Sequence, residues 1–90
     1  MYKVVYTKTA AKDVPKLRSA HLDEKAKALT ETNRVAPFQN PPPYEKLAGD
    51  LHGAYCRRIN IQQPLVYQVY ATEKNVQILS MWTHYERYNK

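Results

Sequence analysis

Ninety residues allow one domain with a thin core, and a hydrophobic share of 43% is enough to build it and little more. Fourteen Lys and Arg against eight Asp and Glu leave a net charge of +6, which suits a polyanionic partner or an acidic protein that neutralises it. Cys56 is the sole cysteine, which excludes an internal disulfide and a cysteine-based zinc site, and no apolar run reaches the length of a membrane span.

Residues 2–7 are rich in Val and Tyr and predict a short strand. Thr7 and Thr9 can each cap the helical stretch that follows through Ala10, Ala11, Val14 and Leu17. Pro15 lies inside that stretch, removes a donor and crowds the preceding turn, so a kink or a short helix is expected. Ser19 then reads as the N-cap of a second helix, with Asp23 and Glu24 in a first turn where the helix dipole favours acids. Leu22, Ala26, Leu29 and Asn33 fall on one face of it, giving a helical hairpin with an apolar stripe for a sheet to cover. His21, beside Leu22 at a helix start, reads as a surface histidine.

Pro37, Pro41, Pro42 and Pro43 cannot continue a helix or sit inside a sheet, so residues 37–44 are an extended connector. In so small a chain a rigid crossover explains it better than a peptide ligand for another domain. The chain turns to β pattern after Glu45: a short stretch over 47–51 broken by Gly49, a turn at His52-Gly53, then strand-like runs over 54–61, 65–71 and 76–83. Residues 72–75 form a polar hairpin loop, residues 60–64 link the earlier pair, and Pro64 fits as the first residue of its strand or on an edge. The expected class is α+β, with two N-terminal helices packed on one face of a small, mainly antiparallel, twisted sheet. The organisation is one domain over 1–90: strand and helical hairpin over 1–36, connector over 37–44, and a β-meander over 45–85 that carries the site.

Chemistry concentrates in the meander. Arg57 and Arg58 are adjacent on a strand, so their side chains point to opposite faces, and one of them lies on the open face. A guanidinium there suits a phosphate, through its planar fork of donors. Glu45, Lys46, His52 and His84 complete the ionisable set. Metal-free RNA cleavage needs a base for the 2′-hydroxyl proton, a cation for the phosphorane charge and an acid for the 5′-oxygen, and this set contains one of each. The residue types alone leave that reading open, since many basic domains hold such a trio. Tyr44, Tyr55, Tyr67, Tyr70, Trp82, Tyr85 and Tyr88 exceed what a small core can bury, so some can stack on single-stranded bases. Cross-strand packing is expected to claim at least Tyr67 and Trp82.

Six ordered segments carry a resemblance: Pro37-Phe38, Glu45-Lys46-Leu47, Asp50-Leu51-His52-Gly53, Tyr55-Cys56-Arg57-Arg58-Ile59, Leu65-Val66-Tyr67 and Trp82-Thr83-His84-Tyr85. Together they resemble the Txe/YoeB toxins of the RelE/ParE superfamily. That resemblance implies a RelE-like fold and ribosome-dependent cleavage of mRNA in the 30S A site by a toxin of a type II toxin–antitoxin system. It places the general base at Glu45, a phosphate-binding arginine at Arg58 and the general acid at His84, with Tyr85 orienting substrate or stacking on a base. Lys46, Arg57 and Tyr55 are the expected substrate contacts. The implied products are a 2′,3′-cyclic phosphate and a 5′-hydroxyl, with no metal and no cofactor. The implied partners are a Phd/YefM-type antitoxin whose acidic tail covers the site, operator DNA through the antitoxin complex alone, and a second copy in a homodimer.

Compartment is expected to be the reducing cytoplasm, because the single cysteine needs no oxidant and Lys3 interrupts an N-terminal stretch too short to act as a signal peptide. Two departures from the family pattern matter. Cys56 stands where the family usually has Ser, a near-isosteric change. Pro64 stands where the family usually carries a catalytic Arg, so a weakened enzyme is expected. Two other readings stay open: a ParE-like gyrase poison, and a toxin homologue impaired through Pro64 that acts mainly by binding antitoxin and operator.

Overall fold

A computed structural model describes residues 1–47 and 53–82 of the chain. The expected breaks at Gly49 and His52, the C-terminal end of the last strand, and the site residues His84 and Tyr85 lie outside the described residues. Among those described, strand β1 (Lys3–Tyr6) leads into helices α1 (Lys8–Ser19) and α2 (Asp23–Val35), followed by β2 (Glu45–Lys46), β3 (Ala54–Arg58), β4 (Pro64–Tyr70) and β5 (Asn75–Ser80). The strand order is β1-β5-β4-β3-β2, with β1 parallel to β5 and every other pair antiparallel. Both helices pack on one face, as expected.

Of the two candidate caps, Thr7 is the one used. Its Oγ1 accepts from the Ala10 N–H (3.1 Å) and donates to the Leu79 carbonyl (2.8 Å), so one hydroxyl starts α1 and ties it to β5. Leu79 is the residue skipped where the β4–β5 register jumps, from Val66 opposite Ser80 to Tyr67 opposite Ile78. Pro15 does not end α1, so of the expected kink or short helix the short helix is not found. Its ring is exposed, while Ala10, Asp13 and Leu17 on the opposite side are buried in the core. Burial of that stripe outweighs the cost of a lost helical hydrogen bond, about 3 kcal/mol.

Ser19 is the last residue of α1, not the cap of α2, whose N-cap is Leu22 with no side-chain hydrogen bond. The two helices join through a Schellman closure: Leu22 N–H donates to Leu17 O (2.8 Å) and His21 N–H to Arg18 O (3.1 Å), with His21 left-handed at φ 59°. Glycine or asparagine would have flagged this turn in the sequence. Histidine did not. The expected face of α2 is the buried one, through Ala26, Leu29 and Asn33, with Thr30 beside them.

The core between helices and sheet is built on Leu17, Leu29, Ile59, Leu65, Tyr67, Val76 and Ile78, with Trp82 packed at its edge. A smaller cluster, Leu47, Ala54, Cys56 and Val66, lies on the other face of the sheet. Asp13 is fully buried, and its Oδ2 accepts from the Met81 backbone N–H at 2.9 Å, so α1 also holds the end of β5. Asp13→Ala would leave that buried N–H unsatisfied. Urea unfolding should show a loss of about 1–3 kcal/mol, with Asp13→Asn, which keeps an acceptor, losing less. Equal losses from the two variants would put the effect in the carboxylate charge and not in the hydrogen bond.

Candidate functional site

The site grows out of the proline-rich connector. Residues 41–43 are prolines and contribute carbonyls but no N–H, so they cannot join a ladder as donors. The connector is held instead by side chains from the helix face of the sheet. Phe38 and Tyr44 meet the Tyr55 ring at centroid distances of 5.0 and 5.9 Å, and the Tyr67 hydroxyl donates to Pro37 O at 2.8 Å. Burial pushes the Tyr67 phenol up to about 12, so it stays protonated and keeps that bond across the neutral range.

Glu45 follows Tyr44 directly and pairs in register with Cys56, which puts it on the face away from the helices. Arg58, two residues along β3, shares that face, and its Nε lies 3.7 Å from Glu45 Oε1, with both side chains about half exposed. Arg58 Nη1 also donates to Ile61 O at 2.8 Å. A cavity of about 270 Å³ opens here, lined by Pro42, Pro43, Tyr44, Glu45, Cys56 and Arg58. An exposed pair of this kind contributes little to stability, roughly 0–1 kcal/mol, so a phosphate can displace the carboxylate from Arg58 at small cost. A carboxylate and a guanidinium beside a small cavity can take a proton and hold an anion. A larger groove of about 390 Å³ runs between the helices past Val14, Asp23 and Lys27, away from this pair.

Cys56 forms the floor of the cavity. Burial pushes its thiol up to about 11, Glu45 adds to the rise and Arg58 opposes it. The thiol is therefore neutral near pH 7 and fills the place of a small hydroxyl without acting as a nucleophile. The unfolded thiol ionises near 9.0 while the folded one holds its proton to about 11, so this group's stabilisation is complete below pH 9 and lost as pH rises through that window.

The adjacent arginines divide as strand geometry requires, and Arg57 takes the inner face. It is fully buried. Its Nε donates to Asn33 Oδ1 (2.7 Å), Nη2 to Pro37 O (3.1 Å) and Gln39 O (2.9 Å), and Nη1 to Pro42 O. The expected substrate contact at Arg57 is therefore corrected, because its donors are spent inside the protein. The Tyr55 ring is packed among Phe38, Tyr44 and Tyr67 and is partly exposed, so cross-strand packing claims it in part. Lys46 is exposed but pairs with Tyr55, on the face opposite Glu45. Pro64 is the first residue of β4, as expected, fully buried and in register with Arg58.

The sequence reading missed Asn33 as a polar partner and the connector carbonyls as acceptors. A buried-face Asn in α2 together with a run of donor-poor prolines was the available signal. Among the described residues, no group of three or more His, Cys, Asp or Glu comes together that could hold a metal ion. Among the same residues, no helix is long and apolar enough to cross a membrane.

The profile of the family described as the YoeB-like toxin of bacterial type II toxin–antitoxin systems matches residues 6–85. No curated protein sequence matches the chain. Among solved structures, the YoeB/ParE toxin from Agrobacterium tumefaciens is 27% identical, covers 92% of this chain and 99% of its own, and superposes with a TM-score of 0.82. The YoeB–YefM complex from Staphylococcus aureus is 25% identical, with 94% and 99% covered and a TM-score of 0.78. The YoeB dimer from the same organism gives 25%, 93% and 98%, and 0.78.

Proposed function

The chain belongs to the YoeB-like toxins of bacterial type II toxin–antitoxin systems, and from that premise we propose that it is an endoribonuclease that cleaves mRNA in the ribosomal A site and so inhibits translation. The observation that carries this reading is Glu45 beside Arg58 on the open face, at the mouth of a small cavity. Glu45 takes the 2′-hydroxyl proton, and the oxygen so freed attacks the adjacent phosphorus. Arg58 stabilises the charge on the phosphorane. The bond to the 5′-oxygen breaks as His84 gives it a proton, leaving a 2′,3′-cyclic phosphate and a 5′-hydroxyl. Tyr85 orients the substrate, and exposed Lys46, on the other face of β2, offers a contact only to phosphates that pass around that strand.

Chain reach supports the assignment of His84. Ser80 is in register with Val66, two residues from Pro64, which itself faces Arg58, so β5 ends at the same end of the sheet as Arg58. His84 follows Ser80 by four residues, a tether of at most about 13 Å at roughly 3.3 Å per residue. No metal enters this mechanism. So small a site borrows alignment from the ribosome, and weak activity on free RNA is consistent with it.

Likeness to the Staphylococcus aureus complex supports an antitoxin of the Phd/YefM type as partner. The net charge of +6 suits an acidic antitoxin segment laid over the open face, with operator DNA reached only through that complex. Likeness to the dimer supports a homodimer, and a cytoplasmic location follows from the target. Buried Pro64 favours a second reading, an impaired homologue that acts mainly by binding its antitoxin.

Primer extension on messages from cells expressing the chain separates the two. Cuts within codons near message starts, lost in Glu45→Gln and in His84→Ala, are the expected result. Cuts that persist in both variants would move the catalytic groups elsewhere. Intact messages support the impaired homologue, and intact messages with double-strand DNA breaks support a gyrase poison.

A further inference from the structure

We propose that Arg57 is a positioning residue: it clamps the proline-rich connector to the sheet and so sets Glu45 against Arg58. The inference rests on the reading of Glu45 as the base. Three features carry it. The connector between Pro37 and Pro42 presents three carbonyls to one guanidinium, those of Pro37, Gln39 and Pro42. A segment with consecutive prolines is rich in acceptors and poor in donors, and a buried arginine with five N–H donors is its chemical complement. The arginine is itself aimed by α2, through Asn33 Oδ1 on its Nε.

The third feature links the clamp to the site. Tyr44, the residue before Glu45, lies against the guanidinium with its ring centroid 5.3 Å from the central carbon, and Tyr67 flanks it at 5.9 Å. Beyond that, Glu45 has the exposed pair with Arg58 and the buried Leu47 two residues on. Strand β2 is two residues long, and one further backbone bond, Leu47 N–H to Ala54 O at 2.9 Å, extends its pairing. So short a ladder does not fix a strand by itself. The adjacent arginines thus both build the site, from opposite faces of β3: Arg58 meets the phosphate, and Arg57 holds the base within reach of it.

Arg57→Lys tests this in the full chain. Lysine keeps the charge but concentrates its donors on one nitrogen, which cannot span three carbonyls and Asn33. Amide hydrogen exchange should accelerate at Glu45 and Leu47 by about tenfold or more beyond whatever change global destabilisation brings at Val76 and Ile78 in β5. On programmed ribosomes kcat should fall by about a hundredfold with KM unchanged, the scale expected when a reacting group is displaced by about 1 Å. Even acceleration over the whole sheet would make Arg57 an ordinary core residue and overturn the proposal. Selective loosening with parental kcat would overturn it too. If Arg57→Lys does not fold, Asn33→Ala, which leaves the arginine in place and removes the partner of its Nε, should show the same selective pattern more weakly, and an even pattern there counts against the clamp. A parent chain that cuts no message would sink the ribonuclease reading alone, since the exchange pattern still decides whether Arg57 holds the connector.

Discussion

Pro64→Arg is expected to raise mRNA cleavage on programmed ribosomes by about a hundredfold, the rate equivalent of roughly 3 kcal/mol from one charge-assisted contact in the transition state. Position 64 lies opposite Arg58 in the β3–β4 register, so a side chain there emerges on the same face as Arg58 and Glu45. Proline offers neither charge nor donor. A second guanidinium would join Arg58 on the phosphorane oxygens, where negative charge develops. The strand should accept the change, because position 64 opens β4 and a residue with an N–H fits a strand start as well as proline does. Pro64 is fully buried, so the longer side chain has to extend past its present neighbours towards the cavity, and some loss of stability should accompany the gain. Single-turnover cleavage decides the matter. A variant no faster than its parent would mean that Pro64 does not mark a missing contact.

Arg57→Met should be the most destabilising single change in the connector region, costing about 3–5 kcal/mol in urea unfolding, the range seen when one partner of a buried charged interaction is removed. Methionine approximates the length of the side chain but leaves Asn33 Oδ1 and the carbonyls of Gln39 and Pro42 without their donor, while Pro37 O keeps the Tyr67 hydroxyl. Each unsatisfied buried acceptor costs about 1–3 kcal/mol, and the total stays below the sum because the connector can swing out and find water. A small domain holds only about 5–15 kcal/mol in all, so the variant should be marginal at 37 °C. A loss below about 1 kcal/mol would show that the connector carbonyls hydrate freely and that the guanidinium does not anchor them.

Much of the fold was legible because local patterns carried it. The 3.6-residue spacing of Ala26, Leu29 and Asn33 marked the buried face of α2, and the Val- and Tyr-rich runs marked β3 to β5. Where local signals competed, the pattern was misleading. Pro15 argued for a break, yet α1 runs through it because the buried stripe on its other side is held by the sheet. Ser19 argued for a cap, yet the chain turned two residues later at His21, whose left-handed backbone no side chain announced. The β pattern was expected from Glu45 onward with a short stretch over 47–51; Glu45–Lys46 is the strand described there, paired with β3, and residues 48–51 lie outside the described residues.

The candidate site divides in the same way. Only the resemblance carried by the ordered motifs pointed to Glu45, Arg58 and His84-Tyr85, whereas strand alternation alone required Arg57 and Arg58 to face opposite ways. Which arginine met solvent was beyond the sequence. It was decided by the connector crossing the helix face of β3 with three carbonyls turned to one point and few donors, so that the inner position demanded an arginine and the outer one came to lie beside Glu45. Periodicity is a property of neighbours in the chain and can be read there. The burial of a charge depends on acceptors that arrive from fifteen to twenty-four residues away, and only folding brings them together.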